Sequence, residues 1–294
     1  MTQQAEITSA QVEKAAEFII KLRPFYSELI VFYQAVFMAQ EEAKQTVRID
    51  AKPISKDMLK LKLKEKFPLV SVSDFELDEV SCRQLFEKIS RIILEKNPGL
   101  KSSAEVLIAA MDKGDLKVED LCRALLASDD SVFEKYAEEL KVDKKLLAFI
   151  AYNSVKPSLV VFAEKTAQQL EPDYFWGKGY CPVCGSAPAI AVLQGEGERF
   201  LRCGFCGHQW SAMRIYCPFC ENKDSKTLSY FYSESEPEYR VDICEACNKY
   251  IKTVDLRKLS RDCYMPLEQV ATLHLDLKAQ EMGLESGTSL HLEP

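Results

Sequence analysis

A chain of 294 residues with 47% hydrophobic and 10% aromatic content carries enough apolar material for one large folded domain or two ordinary ones, and is not disordered throughout. Its formal charge of -7 and pI near 5.3 argue against a protein built around nucleic acid, because neutralising phosphates takes a clustered excess of Lys and Arg. Residues 178–260 hold eleven Lys/Arg against ten Asp/Glu, so no basic patch hides in the cysteine-rich part.

Taken in chain order, residues 1–10 are polar and lack a basic head followed by an apolar core, so no secretory signal is expected. The apolar run from Phe18 to Ala39 is interrupted by Lys21, Arg23, Glu28 and Gln34, which predicts a buried helix and no membrane insertion. Ser9 is placed as an N-cap for the first helix, Pro24 interrupts it, and a second helix is expected over 27–47. Ser55 caps a short helix ending near Phe67-Pro68. From 78 to 96, Cys82, Leu85, Phe86, Ile89 and Ile93 recur at the spacing of one buried helical face. Ala104, Leu107, Ile108 and Met111 repeat it up to Gly114, and Val118, Leu121, Cys122 and Leu125 repeat it again. Helices over 131–140 and 143–170 follow, the last bent at Pro157. Composition changes at Glu171-Pro172-Asp173, which sets the expected boundary of a helical domain at 1–172.

Residues 173–256 read as β structure in two repeats, about 178–214 and 215–256. Gly195-Glu196-Gly197 turns the first hairpin, residues 233–238 turn the second, and a further strand is expected over 209–216 and 249–256. A connector and a helix over 266–282 close the chain, with Leu267, Val270, Leu273 and Leu277 on its apolar face, Gly283 as its C′ residue and a loose polar tail.

Eight of the eleven cysteines lie in four Cys-x-x-Cys pairs: Cys181/Cys184, Cys203/Cys206, Cys217/Cys220 and Cys244/Cys247. In a reducing compartment such pairs read as metal ligands before disulfides. Each turn aims two sulfurs at one ion, and two turns complete a tetrahedron with arms of about 2.3 Å for zinc. Eighteen residues separate the first two pairs and twenty-three the last two, each a gap that suits one hairpin. Sequence-adjacent pairing is therefore expected, with an interleaved arrangement as the alternative. Four thiolates accept zinc or iron alike, so the two ions are assigned no identity. Thiol redox chemistry is the competing reading of Cys-Pro-Val-Cys and Cys-Pro-Phe-Cys, but no βαβ pattern surrounds either. Cys82 and Cys122 read as small core residues, Cys263 as a free thiol, His274 as packing, and Trp176, Trp210 and Tyr180 as a lid on the first pair. His208 is a weaker ligand candidate than the cysteines. No phosphate loop and no Ser/His/Asp arrangement is present in the sequence.

The order Gly179-Tyr-Cys-Pro-Val-Cys-Gly-Ser-Ala-Pro188, Leu201-Arg-Cys-Gly-Phe-Cys-Gly-His-Gln-Trp210, Cys217-Pro-Phe-Cys220, Cys244-Glu-Ala-Cys-Asn-Lys-Tyr-Ile-Lys252 and Ala271-Thr-Leu-His-Leu-Asp276 resembles the formate dehydrogenase accessory protein (FdhE) family. The resemblance covers about 176–284; Leu284 stands where the family tends to have Tyr. It implies an α+β protein: an all-helical N-terminal domain, tandem rubredoxin-like or zinc-ribbon β units, and a C-terminal helix. It further implies a cytoplasmic maturation factor, not an enzyme. Such a factor binds the catalytic subunit of an exported formate dehydrogenase, with two metal ions, zinc or iron, in the four-cysteine sites. The alternatives are a rubredoxin-like redox protein acting in that maturation, or a zinc-ribbon nucleic-acid module. No nucleic-acid partner is expected, and self-association is left open.

Overall fold

A computed structural model describes residues 9–172 and 174–288. The helices are α1 (Ser9–Leu22), α2 (Ser27–Lys44), α3 (Lys56–Glu65), α4 (Glu79–Lys96), α5 (Lys101–Lys113), α6 (Val118–Ala127), α7 (Asp130–Leu140) and α8 (Lys144–Ala167). The strands β1 (Pro188–Gln194), β2 (Glu198–Cys203), β3 (Gln209–Ala212), β4 (Leu228–Tyr232), β5 (Tyr239–Cys244) and β6 (Lys249–Asp255) follow, then α9 (Met265–Ala271), α10 (Leu273–Glu281) and β7 (Glu285–Ser286). Packing groups the chain differently from a linear division at 172/173. One compact unit holds residues 9–51 and 72–162, and the other holds 52–71 and 163–288. The short helix α3 and the end of α8 thus belong with the sheet. The residue preceding Ser9 and the tail beyond 288 lie outside the described residues; Ser9 itself is already inside α1.

In the helical unit the predicted stripes lie on the buried faces, except that Ile108 and Leu125 are half-buried at their edges. Cys82, Leu85, Phe86, Ile89 and Ile93 are inside, as are Leu107, Met111, Leu121 and Cys122. The Asp78 carboxylate starts α4 by accepting from the Ser81 N–H at 3.0 Å. Gly114 ends α5 in the left-handed region at φ 79°, where a residue without Cβ carries no steric cost. Helix α8 is long and apolar enough to cross a membrane by length and composition, but 78% of its apolar stretch is buried inside the protein, as in a core helix. Pro157 lies within it. A proline has no N–H for the carbonyl four residues earlier, so Asn153 loses its helical donor. Gln40 on α2 replaces it: its Nε2 donates to the Asn153 carbonyl and to Asn153 Oδ1, both at 2.9 Å. Both residues are buried. We predict that Gln40→Leu destabilises the helical unit by about 1–3 kcal/mol, the cost of a buried acceptor without its donor. A urea midpoint within error of wild type would sink this account.

In the other unit the two predicted repeats are three-stranded meanders, β1-β2-β3 and β4-β5-β6, and they fuse. Strand β1 pairs in parallel with β6 through Ala191↔Thr253, Val192↔Val254 and Leu193↔Asp255. The order along the sheet is β3-β2-β1-β6-β5-β4, with β7 added beside β6. Ile190, Tyr239, Val241, Ile243, Tyr250, Val254, Leu275 and Ala279 form one core that crosses this junction.

Two expectations for the sheet unit are corrected. The third strand stops at Ala212, short of 216. The final helix is two helices broken at Thr272, whose Oγ1 turns back to donate to the Glu268 carbonyl at 2.8 Å. The break resets the helical phase, so Leu267, Val270 and Leu275 are buried while Leu277 faces solvent at 59% exposure. Gly283 follows at φ 78°, as its C′ role requires.

Buried charges tie α9 and α10 to the sheet. Glu268, with no exposed surface, accepts from Tyr239 Oη at 2.6 Å and from Arg261 Nη1 and Nη2 at 2.6 and 2.8 Å. Lys252 Nζ donates to Asp276 Oδ2 at 2.5 Å and to the Gln269 carbonyl at 2.8 Å, and Tyr250 Oη donates to Asp276 Oδ1 at 3.0 Å. Burial works against the Arg261 charge, but the hydrogen bond and the field of Glu268 outweigh it and hold the guanidinium above its ordinary range.

Candidate metal centres

Each Cys-x-x-Cys pair sits on a tight turn at the head of a β element, and all four turns share one backbone signature. The residue after the second cysteine is left-handed: Gly185 at φ 77°, Gly207 at 76°, Glu221 at 61° and Asn248 at 56°. Its N–H closes the turn by donating to the first cysteine's carbonyl in three of them, at 2.9 Å from Gly185, 3.2 Å from Gly207 and 3.0 Å from Glu221. Glycine takes this conformation freely and asparagine tolerates it, so Cys-x-x-Cys-Gly and Cys-x-x-Cys-Asn are readable as turns; Glu221 carries some strain there.

The turns bring the eight thiols together as two clusters. Cys181, Cys184, Cys203 and Cys206 form one, and Cys217, Cys220, Cys244 and Cys247 the other. The grouping is sequence-adjacent, not interleaved. Sulfur separations are 3.7 Å for Cys181–Cys206, 3.5 Å for Cys184–Cys203 and 3.6 Å for Cys184–Cys206. In the second cluster they are 3.7 Å for Cys217–Cys247 and 3.6 Å for Cys220–Cys244. A tetrahedron with arms of about 2.3 Å has edges of about 3.8 Å, so both clusters could hold one ion each. His208 is in neither cluster. Loss of water around its ring lowers its pKa to about 4, leaving it neutral at pH 7.

The electrostatics point the same way. Burial pushes the Cys181 and Cys206 thiols up, while hydrogen bonds from Cys181, Cys203 and Cys206 hold Cys184 far below the usual thiol range. Burial without a counter-charge thus works against ionising these thiols. A divalent or trivalent cation lets the rest ionise. In the second cluster burial raises Cys217 and Cys247. At Cys244 burial also pushes upward, but hydrogen bonds, first among them the one from Asn222 Nδ2 at 3.6 Å, bring the thiol down to about 7. No helix begins at either Cys-Pro-x-Cys turn, so the helix N-terminus that activates a redox thiol is missing there.

The clusters differ in exposure. All four sulfur residues of the first are buried, whereas in the second Cys220 is exposed and Cys247 half-buried. We expect thiol labelling during chelator treatment to appear first at Cys220 and Cys247, with the first cluster protected until later. Labelling of Cys181 or Cys206 at the same rate would contradict the burial argument.

Neighbouring residues that carry no cysteine signal complete the site. Trp176, fully buried, donates Nε1 to the Tyr180 carbonyl at 2.7 Å, and Trp210 Nε1 donates to the Lys178 carbonyl at 3.1 Å. They fix the entry to the first turn, as expected of a packing lid. A Cβ on Gly179 would lie 1.8 Å from the Pro218 carbonyl oxygen, so only glycine lets the approaches to the first and third turns touch. Outside the cysteine region, Leu69 N–H donates to the Pro182 carbonyl at 2.9 Å and Val70 N–H to the Val183 carbonyl at 3.0 Å. A strap more than 110 residues earlier in the chain therefore braces the first turn. No local pattern in 66–71 announces that role. Among the other candidates, Cys82, Cys122 and Cys263 stay outside the clusters, and His274 Nε2 meets Glu236 Oε2 at 2.9 Å.

Residues 180–214 match the family model described as FdhE, central domain. The chain is 38% identical over 146 residues to a protein FdhE homolog of Aquifex aeolicus, covering 48% of this chain and 50% of that protein. It is 28% identical over 197 residues to protein FdhE of Salmonella arizonae, covering 65% and 60%. The match thus spans between half and three-fifths of the length of these relatives. The crystal structure of the FdhE protein from Pseudomonas aeruginosa has the same fold, with a TM-score of 0.66 over 99% of this chain and 96% of that one at 18% identity.

Proposed function

We propose, from its similarity to FdhE proteins, that the chain is an accessory factor in formate dehydrogenase maturation, one that binds the enzyme's catalytic subunit in the cytoplasm while that subunit is completed. The observation that carries this reading is the pair of closed four-cysteine clusters built into one continuous sheet. A site with four protein ligands leaves no open position for a substrate, so its chemistry is structural support. In this reading Cys181, Cys184, Cys203 and Cys206 hold one ion, and Cys217, Cys220, Cys244 and Cys247 hold the other. Each ion supplies folding free energy and fixes the turns, while the sheet presents a rigid surface to the client. The near-neutral charge of residues 178–260 supports a protein client over nucleic acid.

The test is co-purification. The tagged full chain should retain the formate dehydrogenase catalytic subunit, and a chain lacking residues 180–252 should not. Failure of the full chain to retain it, or retention by the deleted chain, overturns the proposal. The exposure of Cys220 favours one second reading, a redox-active iron in the second cluster. It requires a visible iron spectrum that changes reversibly on reduction, and its absence in iron-loaded protein ends it.

A further inference from the structure

The two clusters differ in what braces their turns. At the first, Leu69 and Val70 hold Pro182 and Val183 inside Cys181-Pro-Val-Cys184. The matching turn of the second repeat is Cys217-Pro-Phe-Cys220, and its brace comes from the opposite direction along the chain. A Cβ on Gly287 would lie 2.1 Å from two ring carbons of Phe219, so the Phe219 ring rests on bare backbone at 287. The same segment holds the fourth turn. Asn248, the left-handed residue after Cys247, donates Nδ2 to the Gly283 carbonyl at 2.7 Å. The Asn248 carbonyl accepts from the Glu285 N–H at 2.9 Å, and the Tyr250 carbonyl from the Gly287 N–H at 3.3 Å. Residues 283–287 therefore touch both turns of the second cluster, at the sequence neighbours of Cys220 and of Cys247.

The hold is a light one. Strand β7 is two residues long, and Asn248, Gly283 and Glu285 are all exposed. Backbone hydrogen bonds open to water, with little apolar area behind them, are the first to open locally. The ligands beside this segment are also the accessible ones, Cys220 exposed and Cys247 half-buried. Groups that orient a metal's ligands set how firmly the ion is kept. We propose that residues 283–287 are a latch on the second cluster: closing the latch and filling the cluster favour each other, while the first cluster, braced by residues 66–71, is independent of it. The coupling is reciprocal. An ion fixes the two turns in the positions where Phe219 and Asn248 receive the segment, and the seated segment slows the ion's departure. The proposal rests on the reading that Cys217, Cys220, Cys244 and Cys247 hold an ion.

The test loads the full chain with zinc and follows transfer to the chromogenic chelator 4-(2-pyridylazo)resorcinol. Wild type should give up the second cluster's ion in a fast phase and the first cluster's in a slow one. Two variants open the latch without touching a ligand. A chain ending at Leu284 keeps the Gly283 and Leu284 N–H bonds to the Gln280 and Ala279 carbonyls that close α10. Asn248→Gly keeps the left-handed turn, as Gly185 and Gly207 do, but loses the bond to Gly283. Both should accelerate the fast phase at least tenfold and leave the slow phase unchanged. Gly287→Val should act in the same direction by displacing the Phe219 ring. In the reverse direction, Cys220→Ala should cost the Glu285 and Gly287 amides at least tenfold in hydrogen-exchange protection, with α5 unchanged. A fast phase at the wild-type rate in both latch variants, equal acceleration of both phases, or full protection at Glu285 and Gly287 in Cys220→Ala overturns the proposal. Metal analysis separates the two readings. Wild type that takes up zinc only at the first cluster refutes the second metal site and the latch together. Two ions with unmoved release rates overturn the latch alone.

Discussion

Cys184→Ala is expected to lose the ion at the first cluster and to unfold β1, β2 and β3, with the loss extending into β6. Cys184 Sγ lies within 3.6 Å of both Cys203 and Cys206 sulfurs, so its removal breaks the tetrahedron at a buried corner. A structural four-thiolate site supplies on the order of 10 kcal/mol or more of folding free energy, comparable with the whole stability of an ordinary domain. A small meander cannot replace that from its own apolar area. The meander is not isolated, however. Strand β1 pairs with β6, and Ile190 shares a core with Val254 and Tyr250, so freeing β1 exposes one edge of β6. Hydrogen exchange should therefore show lost protection in β1–β3 and weakened protection at Thr253, Val254 and Asp255, with residual protection in β4 and β5. Metal analysis should find one ion per chain. Full metal content with a wild-type exchange pattern sinks the assignment of Cys184 as a ligand. Cys220→Ala, at the exposed second cluster, should be the milder of the two.

The parts of this fold that were legible in the sequence are those with a local period. Cys82, Leu85, Phe86, Ile89 and Ile93 announce α4 because a buried helical face repeats every three or four residues. The cysteine pairs announce their turns because two ligands on one ion require that spacing, and the gap between pairs matches a hairpin. What was not legible depends on residues far apart in the chain. Nothing in Ala191 or Thr253 says that these two strands pair in parallel; only packing the two meanders over a common core does. Nothing local in residues 66–71 says that they brace Pro182 and Val183, so α3 could not be separated from the preceding helices. The break at Thr272 is a case of competing local chemistry. Its hydroxyl bonds back to Glu268, and a periodic stripe read through it misplaces Leu277.

Breaking the buried pair at Glu268 is the second large effect. Glu268→Ala should lower the stability of the sheet unit by about 3–5 kcal/mol, as expected when one member of a desolvated ion pair is left alone. Arg261, whose side chain is 7% exposed, would keep its charge with no carboxylate to receive Nη1 and Nη2, and Tyr239 Oη would lose its acceptor. The pair also holds α9 against β5, where Tyr239 sits in the shared core. Glu268→Gln keeps the volume and one carbonyl acceptor and should cost less. The decisive measurement is the double variant Arg261→Met, Glu268→Leu, compared with each single change by urea unfolding at fixed metal content. Removing both charges together should recover most of the loss, giving a coupling of at least about 2 kcal/mol, because the penalty comes from the stranded guanidinium and not from the missing carboxylate. Additive losses would mean that Glu268 acts through packing alone, and that the buried charges do not join the C-terminal helices to the sheet.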